Sequence, residues 1–184
     1  MTRPLLFLDV DGPLNPFDAK RTQRPAGYET HRLLPPSWQA RQREMYPYRR
    51  VKPLRLWLNP AHGPALIALA GRFDLVWATT WEHEANQYIG PVIGLPRLPV
   101  VEWQTDKKFG PDGTFFKTAE LVAYAAGRPF AWVDDDITAS DRRWVESNCD
   151  GRHLLHYVNP AIGLTGDDFD VLARWAEGIS AEAV

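Results

Sequence analysis

The chain has 184 residues, 45% of them apolar and 24% charged, with a formal net charge of −2. That is the ordinary balance of a soluble globular protein, and such a length buries a real core without staples. A single cysteine, Cys149, excludes an internal disulfide and a multi-cysteine zinc site, and no apolar run approaches the ~20 residues of a membrane span.

In chain order, Pro4 to Asp9 reads as a short apolar strand ending in a carboxylate. A run without alternation fits a central strand covered on both faces. Asp9 and Asp11 follow Leu5–Leu8 at once, which leaves no room for the apolar stretch of a signal peptide. A reduced, cytoplasmic setting is the expectation. Residues 16–53 are rich in Pro, Arg and aromatics, and their six prolines break regular structure. They predict an irregular insert, reaching to residue 58, that contains a β-hairpin with strands at Tyr28–Leu33 and Pro53–Leu58. Residues 20–55 carry ten basic and two acidic residues, a balance of +8, so the rest of the chain carries −10. A basic segment against an acidic body suits an anionic partner.

Beyond the insert, Ala61–Arg72 predicts a helix with Asn59 near its cap. Leu75–Ala78 is a second apolar strand, ending at Thr79-Thr80. Glu82–Tyr88 predicts a short helix and Leu98–Trp103 a third strand. Thr118–Ala126 is an amphipathic helix closed by Gly127. Pro129–Val133 is a fourth strand that runs into Asp134-Asp135-Asp136. Thr138–Ser147 is helical, His153–Val158 is a fifth strand, and Asp167–Glu177 is the last helix. Strands alternating with helices imply an α/β fold, a mostly parallel Rossmann-like sheet with helices on both faces. The expectation is one domain over residues 1–184, with residues 16–58 as a basic flap in place of a large cap.

In such sheets ligands bind outside the carboxyl ends of the strands. Three strand ends carry chemistry: Asp9-Val10-Asp11-Gly12, Thr79-Thr80 and Asp134-Asp135-Asp136. Lys117, at the start of a helix, is the further candidate. If the sheet brings them together, four carboxylates (Asp9, Asp11, Asp134, Asp135) raise each other's pKa and destabilise the fold. A hard divalent cation removes that conflict, and all-oxygen ligands favour Mg²⁺. Mg²⁺ commonly bridges to phosphate, so the site predicts a phosphate-bearing substrate. Asp9 is the candidate nucleophile for an aspartyl-phosphate. Asp11 is placed to protonate the leaving oxygen and later to activate water. Gly12 permits a tight turn, Thr79 offers a hydroxyl and an N–H, and Lys117 supplies positive charge. Gly12 and Thr80, with Arg49 and Arg50 of the basic segment, are candidate substrate contacts.

These residues resemble the haloacid dehalogenase (HAD)-like hydrolase superfamily. Leu6-Phe7-Leu8-Asp9-Val10-Asp11-Gly12 is similar to its first motif, and Val76-Trp77-Ala78-Thr79 to the second. Lys117 best matches the third, and Trp132-Val133-Asp134-Asp135 the fourth. The resemblance implies a Rossmann-like fold and a Mg²⁺-dependent phosphatase with Asp9 as nucleophile and Asp11 as acid/base. It places the metal on Asp9, the Asp11 carbonyl, and an acid among Asp134 and Asp135. The chain also looks like a HAD group found with RNA-repair proteins, through Trp77-Ala-Thr-Thr-Trp81 and Trp132-Val-Asp-Asp135. Pro13 departs from the Thr or Val often seen after the first-motif glycine. Thr80 stands as an alternative to Thr79, and Lys107 or Lys108 to Lys117.

The five histidines show no metal pattern, and serine-hydrolase, P-loop and dinucleotide fingerprints are absent. Asp136 and Asp141 read as helix N-terminal charges, Asp141 alternatively as support for the metal. Trp38 and Trp57 flank the basic insert, where they either pack or stack on bases. The leading expectation is a phosphatase for a phosphorylated small molecule or a nucleic-acid end, with no membrane and no obligate protein partner. The rival is a HAD-fold protein that binds nucleic acid or a phospho-ligand with little turnover.

Overall fold

The apolar run after Pro4 becomes β1 (Leu5–Leu8), with all four side chains buried. The structure, a computed structural model, describes residues 2–104 and 109–181. Three more strands flank β1: β4 (Asp74–Trp77), β5 (Phe130–Asp134) and β6 (His153–Tyr157). Their order is β4-β1-β5-β6 and every pairing is parallel. Two-residue alternation splits the strand residues between two cores. Leu6, Leu8, Leu75, Trp77, Ala131 and Val133 face one cluster, which α2 (His62–Leu69) and α6 (Gly166–Ala181) cover with Leu66, Leu69, Leu172 and Ala176. Leu5, Phe7, Val76, Phe130 and Trp132 face the other, under α4 (Lys117–Ala125) and α5 (Ala139–Asn148). Helices therefore lie on both faces of an α/β sheet, as the alternation predicts. Among the described residues no helix is long and apolar enough to cross a membrane.

The hairpin of the insert forms close to where its sequence places it. β2 (Glu29–Leu33) and β3 (Leu54–Leu58) are antiparallel, from the Glu29–Leu58 pair to the Leu33–Leu54 pair. The connection between them is more ordered than an irregular insert: it holds a ten-residue helix, α1 (Pro36–Met45). Proline is suited to the first turn of a helix, where its missing N–H costs no intrahelical bond, and Gln, Ala, Arg, Glu and Met carry the helix onward. None of its residues is buried, so it has no apolar stripe that a periodicity could reveal. Its N-terminus is held instead by Glu84. The Ser37 N–H donates to Glu84 Oε1 at 2.9 Å, and the Ser37 hydroxyl donates to the other carboxylate oxygen. The Trp38 indole N–H donates to the Lys52 carbonyl at 2.9 Å.

The expected strand at Leu98–Trp103 is corrected to an extended segment with a single parallel bridge between Trp77 and Val100. Pro96 and Pro99 lack the N–H groups that a longer ladder needs. The expected helix at Glu82–Tyr88 is a π-helical turn, Ala85–Ile89, that runs into α3 (Gly90–Ile93). Asn86 in that turn accepts from the Trp77 indole at 3.0 Å and from the Leu98 N–H at 2.9 Å, fastening the segment to the sheet.

Candidate active site

The strand register assembles the site. Leu8 lies level with Trp77 on one side and Val133 on the other. The next residues, Asp9 and Asp134, therefore emerge side by side at the carboxyl edge, with Ala78 and Thr79 across from them. The Asp9 N–H donates to the Val133 carbonyl at 3.1 Å, and the Ala78 N–H to the Leu8 carbonyl at 2.9 Å.

Lys117 fills the space between the two acids. Its Nζ is 2.9 Å from Asp9 Oδ2 and 2.7 Å from Asp134 Oδ2, and its side chain is 1% exposed. The Trp132 indole, two residues back on the same strand face, donates to that Asp134 oxygen at 3.1 Å. The other Asp134 oxygen accepts the Asp136 N–H at 2.9 Å, and Asp9 Oδ1 accepts the Val10 N–H at 2.7 Å. Asp135 completes a trio: one carboxylate oxygen from each of Asp9, Asp134 and Asp135 lies within 4.8 Å of the others. Gly12 makes the crowding possible. Its φ is +85°, and a Cβ there would collide with the Asp135 carboxylate.

Three acids against one lysine leave a formal surplus of two negative charges. Burial is the main reason that the Asp9 carboxyl is pushed up to about 7; Lys117 pulls it down, while Asp134 and Asp11 add to the rise. Asp135 is also pushed up to about 7, first by burial and then by the charges of Asp134 and Asp136. Burial works against the charge of Lys117, but Asp134 and Asp9 outweigh it and hold its pKa above the usual lysine value. An oxygen-only, negatively charged donor set of this kind suits a hard cation, so these three residues can hold a metal ion.

Asp11 stands apart from the trio, on the rim. Its Oδ1 accepts the Asn15 amide N–H at 2.7 Å and its Oδ2 accepts the Trp81 indole N–H at 2.9 Å. Thr79 is fully buried; its hydroxyl oxygen accepts the Trp81 N–H at 3.3 Å and its carbonyl accepts the Trp103 indole at 3.0 Å. Thr80 is exposed and lines an open cleft of about 500 Å³. That cleft runs from Asp11, Asn15 and Trp81 to Trp38 and Arg41 of α1 and Arg55 of β3, with Phe17 beside them. It continues past Arg21 and Trp57. The Arg55 guanidinium stacks 4.1 Å from the Trp57 ring.

Arg49 and Arg50 are exposed on the turn after α1 and do not line this cleft. Arg49 lies over the Tyr46 ring. The arginines at the cleft are Arg21, Arg41 and Arg55, members of the same basic segment that spacing alone did not single out. The alternatives Lys107 and Lys108 lie outside the described residues. Asp141 is the third residue of α5 in a capping box with Thr138. It is fully buried and also accepts from the Phe115 N–H and the Thr118 hydroxyl. Burial works against its charge, but the Thr118 and Thr138 hydrogen bonds hold its carboxyl below the usual range. It fixes the first turn of α4, and so the base of Lys117. Asn15 and Trp103 have no counterpart in the motif reading, and Trp132 enters it only as part of an apolar strand. Their signal is a polar side-chain atom aimed at a site residue, from within the same loop or strand for Asn15 and Trp132 and from a separate segment for Trp103.

A family model described as a HAD domain in Swiss Army Knife RNA repair proteins matches residues 5–169. The chain belongs to this family. The match spans all four strands of the sheet and every residue of the acid cluster, and the HAD-type hydrolase fold agrees with the four motifs read from the sequence. No curated protein and no solved structure matches the chain.

Proposed function

We propose that this HAD-family protein is a Mg²⁺-dependent phosphohydrolase that cleaves a phosphate monoester through an aspartyl-phosphate on Asp9. The observation that carries the reading is the buried Asp9–Lys117–Asp134 bridge with Asp135 beside it, set at the strand tips next to an open cleft. Asp9, Asp134 and Asp135 would hold Mg²⁺, with the Asp11 carbonyl as a further oxygen. The ion would neutralise charge on the transferring phosphoryl group. Asp9 attacks phosphorus as the bond to the leaving oxygen breaks, and Asp11 gives that oxygen its proton. Water then attacks the phosphoryl group, loses a proton to Asp11, and frees the Asp9 carboxylate and inorganic phosphate. Lys117 keeps a fixed positive charge at the reacting oxygens, while Thr79 and the Gly12 backbone border the phosphate.

The chemistry of the cleft supports a substrate class. Arg41, Arg55 and Arg21 supply positive charge, and Trp38 and Phe17 supply ring faces. Cations interleaved with aromatics suit a nucleotide chain, whose phosphates and bases need one of each. The RNA-repair setting of the family supports a nucleic-acid end over a free metabolite. The test is a panel of phosphorylated metabolites, nucleotides and 3′- or 5′-phosphorylated oligonucleotides, run with Mg²⁺ and with chelator. Turnover that needs Mg²⁺ and is lost in Asp9→Asn supports the reading. Full activity of Asp9→Asn rejects the nucleophile. Salt-sensitive oligonucleotide binding without turnover across the panel replaces the enzyme with a binding protein.

A further inference from the structure

We infer that Asn15 and Trp81 are positioning residues for Asp11, and that Asn15 ties the place of this acid to the hairpin of the insert. The inference rests on the reading of Asp11 as the group that protonates the leaving oxygen. It adds Asn15, which the motifs do not contain, a role for Trp81, and a link between flap and chemistry.

Asp11 is half-buried on the cleft rim, where water alone would let its carboxylate turn among rotamers. Two donors from different elements stop that. The Asn15 amide takes Oδ1 at 2.7 Å, and the Trp81 indole takes Oδ2 at 2.9 Å. With one N–H on each oxygen, the plane of the carboxylate is set. A carboxylate has about four lone-pair sites, so both donors leave room for the proton that Asp11 must carry and release.

The donors are themselves held. Asn15 is 5% exposed. Its Oδ1 accepts the Trp57 N–H of β3 at 3.1 Å, which forces its NH₂ toward Asp11. Turning the amide over would leave that buried N–H facing another donor, with its hydrogen bond lost. The Asn15 backbone is closed on its own loop, with its N–H on the Val10 carbonyl at 2.8 Å and its carbonyl on the Gly12 N–H at 2.9 Å. Trp81 is 9% exposed and its N–H is bonded to the Thr79 hydroxyl. One small amide therefore touches the hairpin on one side and the acid on the other. When Asp9 displaces the leaving oxygen, the electron pair of the P–O bond goes to that oxygen and the Asp11 proton follows it. The two N–H groups then face the carboxylate that remains.

The experiment compares an ester whose leaving group departs as an anion, p-nitrophenyl phosphate, with one whose alkoxide needs a proton, such as a nucleoside monophosphate. It is run with Mg²⁺ on the full chain, with thermal unfolding to confirm folding. Trp81→Phe keeps the ring and deletes the N–H. Asn15→Asp keeps an acceptor for Trp57 and replaces the amide donor to Asp11 with a second carboxyl group. Each is expected to shift the kcat ratio between the two esters about tenfold against the alkyl ester, part of the 10²–10⁴ that a general acid supplies. Asp11→Asn shifts the ratio in the same direction and further. Equal losses on both esters, or none, in folded Trp81→Phe and Asn15→Asp overturn the inference while leaving the phosphatase reading intact. If Trp81→Phe does not fold, the Asn15→Asp ratio decides. If Asp11→Asn leaves the ratio unmoved in an active enzyme, the acid role of Asp11 fails and takes this inference with it.

Discussion

Lys117 is the residue on which the acid cluster depends most directly. It is buried with Asp9 and Asp134, and its ammonium is shared between them. Removing one member of a buried charge group leaves the others uncompensated, at about 3–5 kcal/mol. Lys117→Met is therefore expected to lower the unfolding free energy by about that amount in urea titrations with chelator present. A loss below about 1 kcal/mol would mean that water, not the lysine, balances these acids. Asp9, Lys117 and Asp134 were legible in the sequence because each follows a local rule: an acid after an apolar strand, or a lysine opening a helix. Thr79 against Thr80 was not. The difference is one of burial, Thr79 inside and Thr80 on the cleft, and a strand end read to within one residue cannot supply it. Asp141 was legible as a helix N-terminal acid, but its hold on Phe115 and Thr118 of the preceding turn depends on how α4 and α5 pack.

At the scale of elements, the parallel strands and their covering helices were legible because burial leaves apolar runs and stripes. α1 was not, since it buries nothing. Such a helix is held by its ends, and here the Glu84 carboxylate accepts two hydrogen bonds from Ser37 at the N-terminus, where negative charge also suits the helix dipole. Glu84→Gln should speed amide hydrogen exchange across residues 36–45 while changing global stability by no more than about 0.5 kcal/mol, the usual range for a surface substitution. Unchanged exchange in α1 would show that the Trp38–Lys52 bond holds the helix by itself. The segment at Leu98–Trp103 misled for the converse reason. Its apolar residues are those of a strand, but Pro99 reaches the sheet edge with a carbonyl and no N–H to return.

Across the whole molecule, the acid cluster links metal binding, protons and stability. Without metal, Asp9 and Asp135 hold their protons to about pH 7 in the folded chain, against an ordinary value of 3.8. Between those values the folded chain binds more protons than the unfolded one, so what these groups contribute to stability is lost as pH rises through 7. Mg²⁺ needs the ionised carboxylates and competes with those protons. The rise in Tm on replacing chelator with Mg²⁺ is thus expected to be larger at pH 8 than at pH 6. An equal rise at both would place the ion away from these carboxylates. The insert carries a last consequence. β3 sends Leu56 and Leu58 into the same core as the central strands, and Asn15 fastens its backbone beside Asp11. The hairpin is a standing wall, not a swinging door: to move aside it would have to strip apolar side chains out of the sheet's own interior. On the proposed reading, a nucleic-acid end would enter along the open cleft past a wall that stays in place. For such a substrate the arginines of the cleft would make both arrival and departure depend on salt, raising it weakening the one and hastening the other.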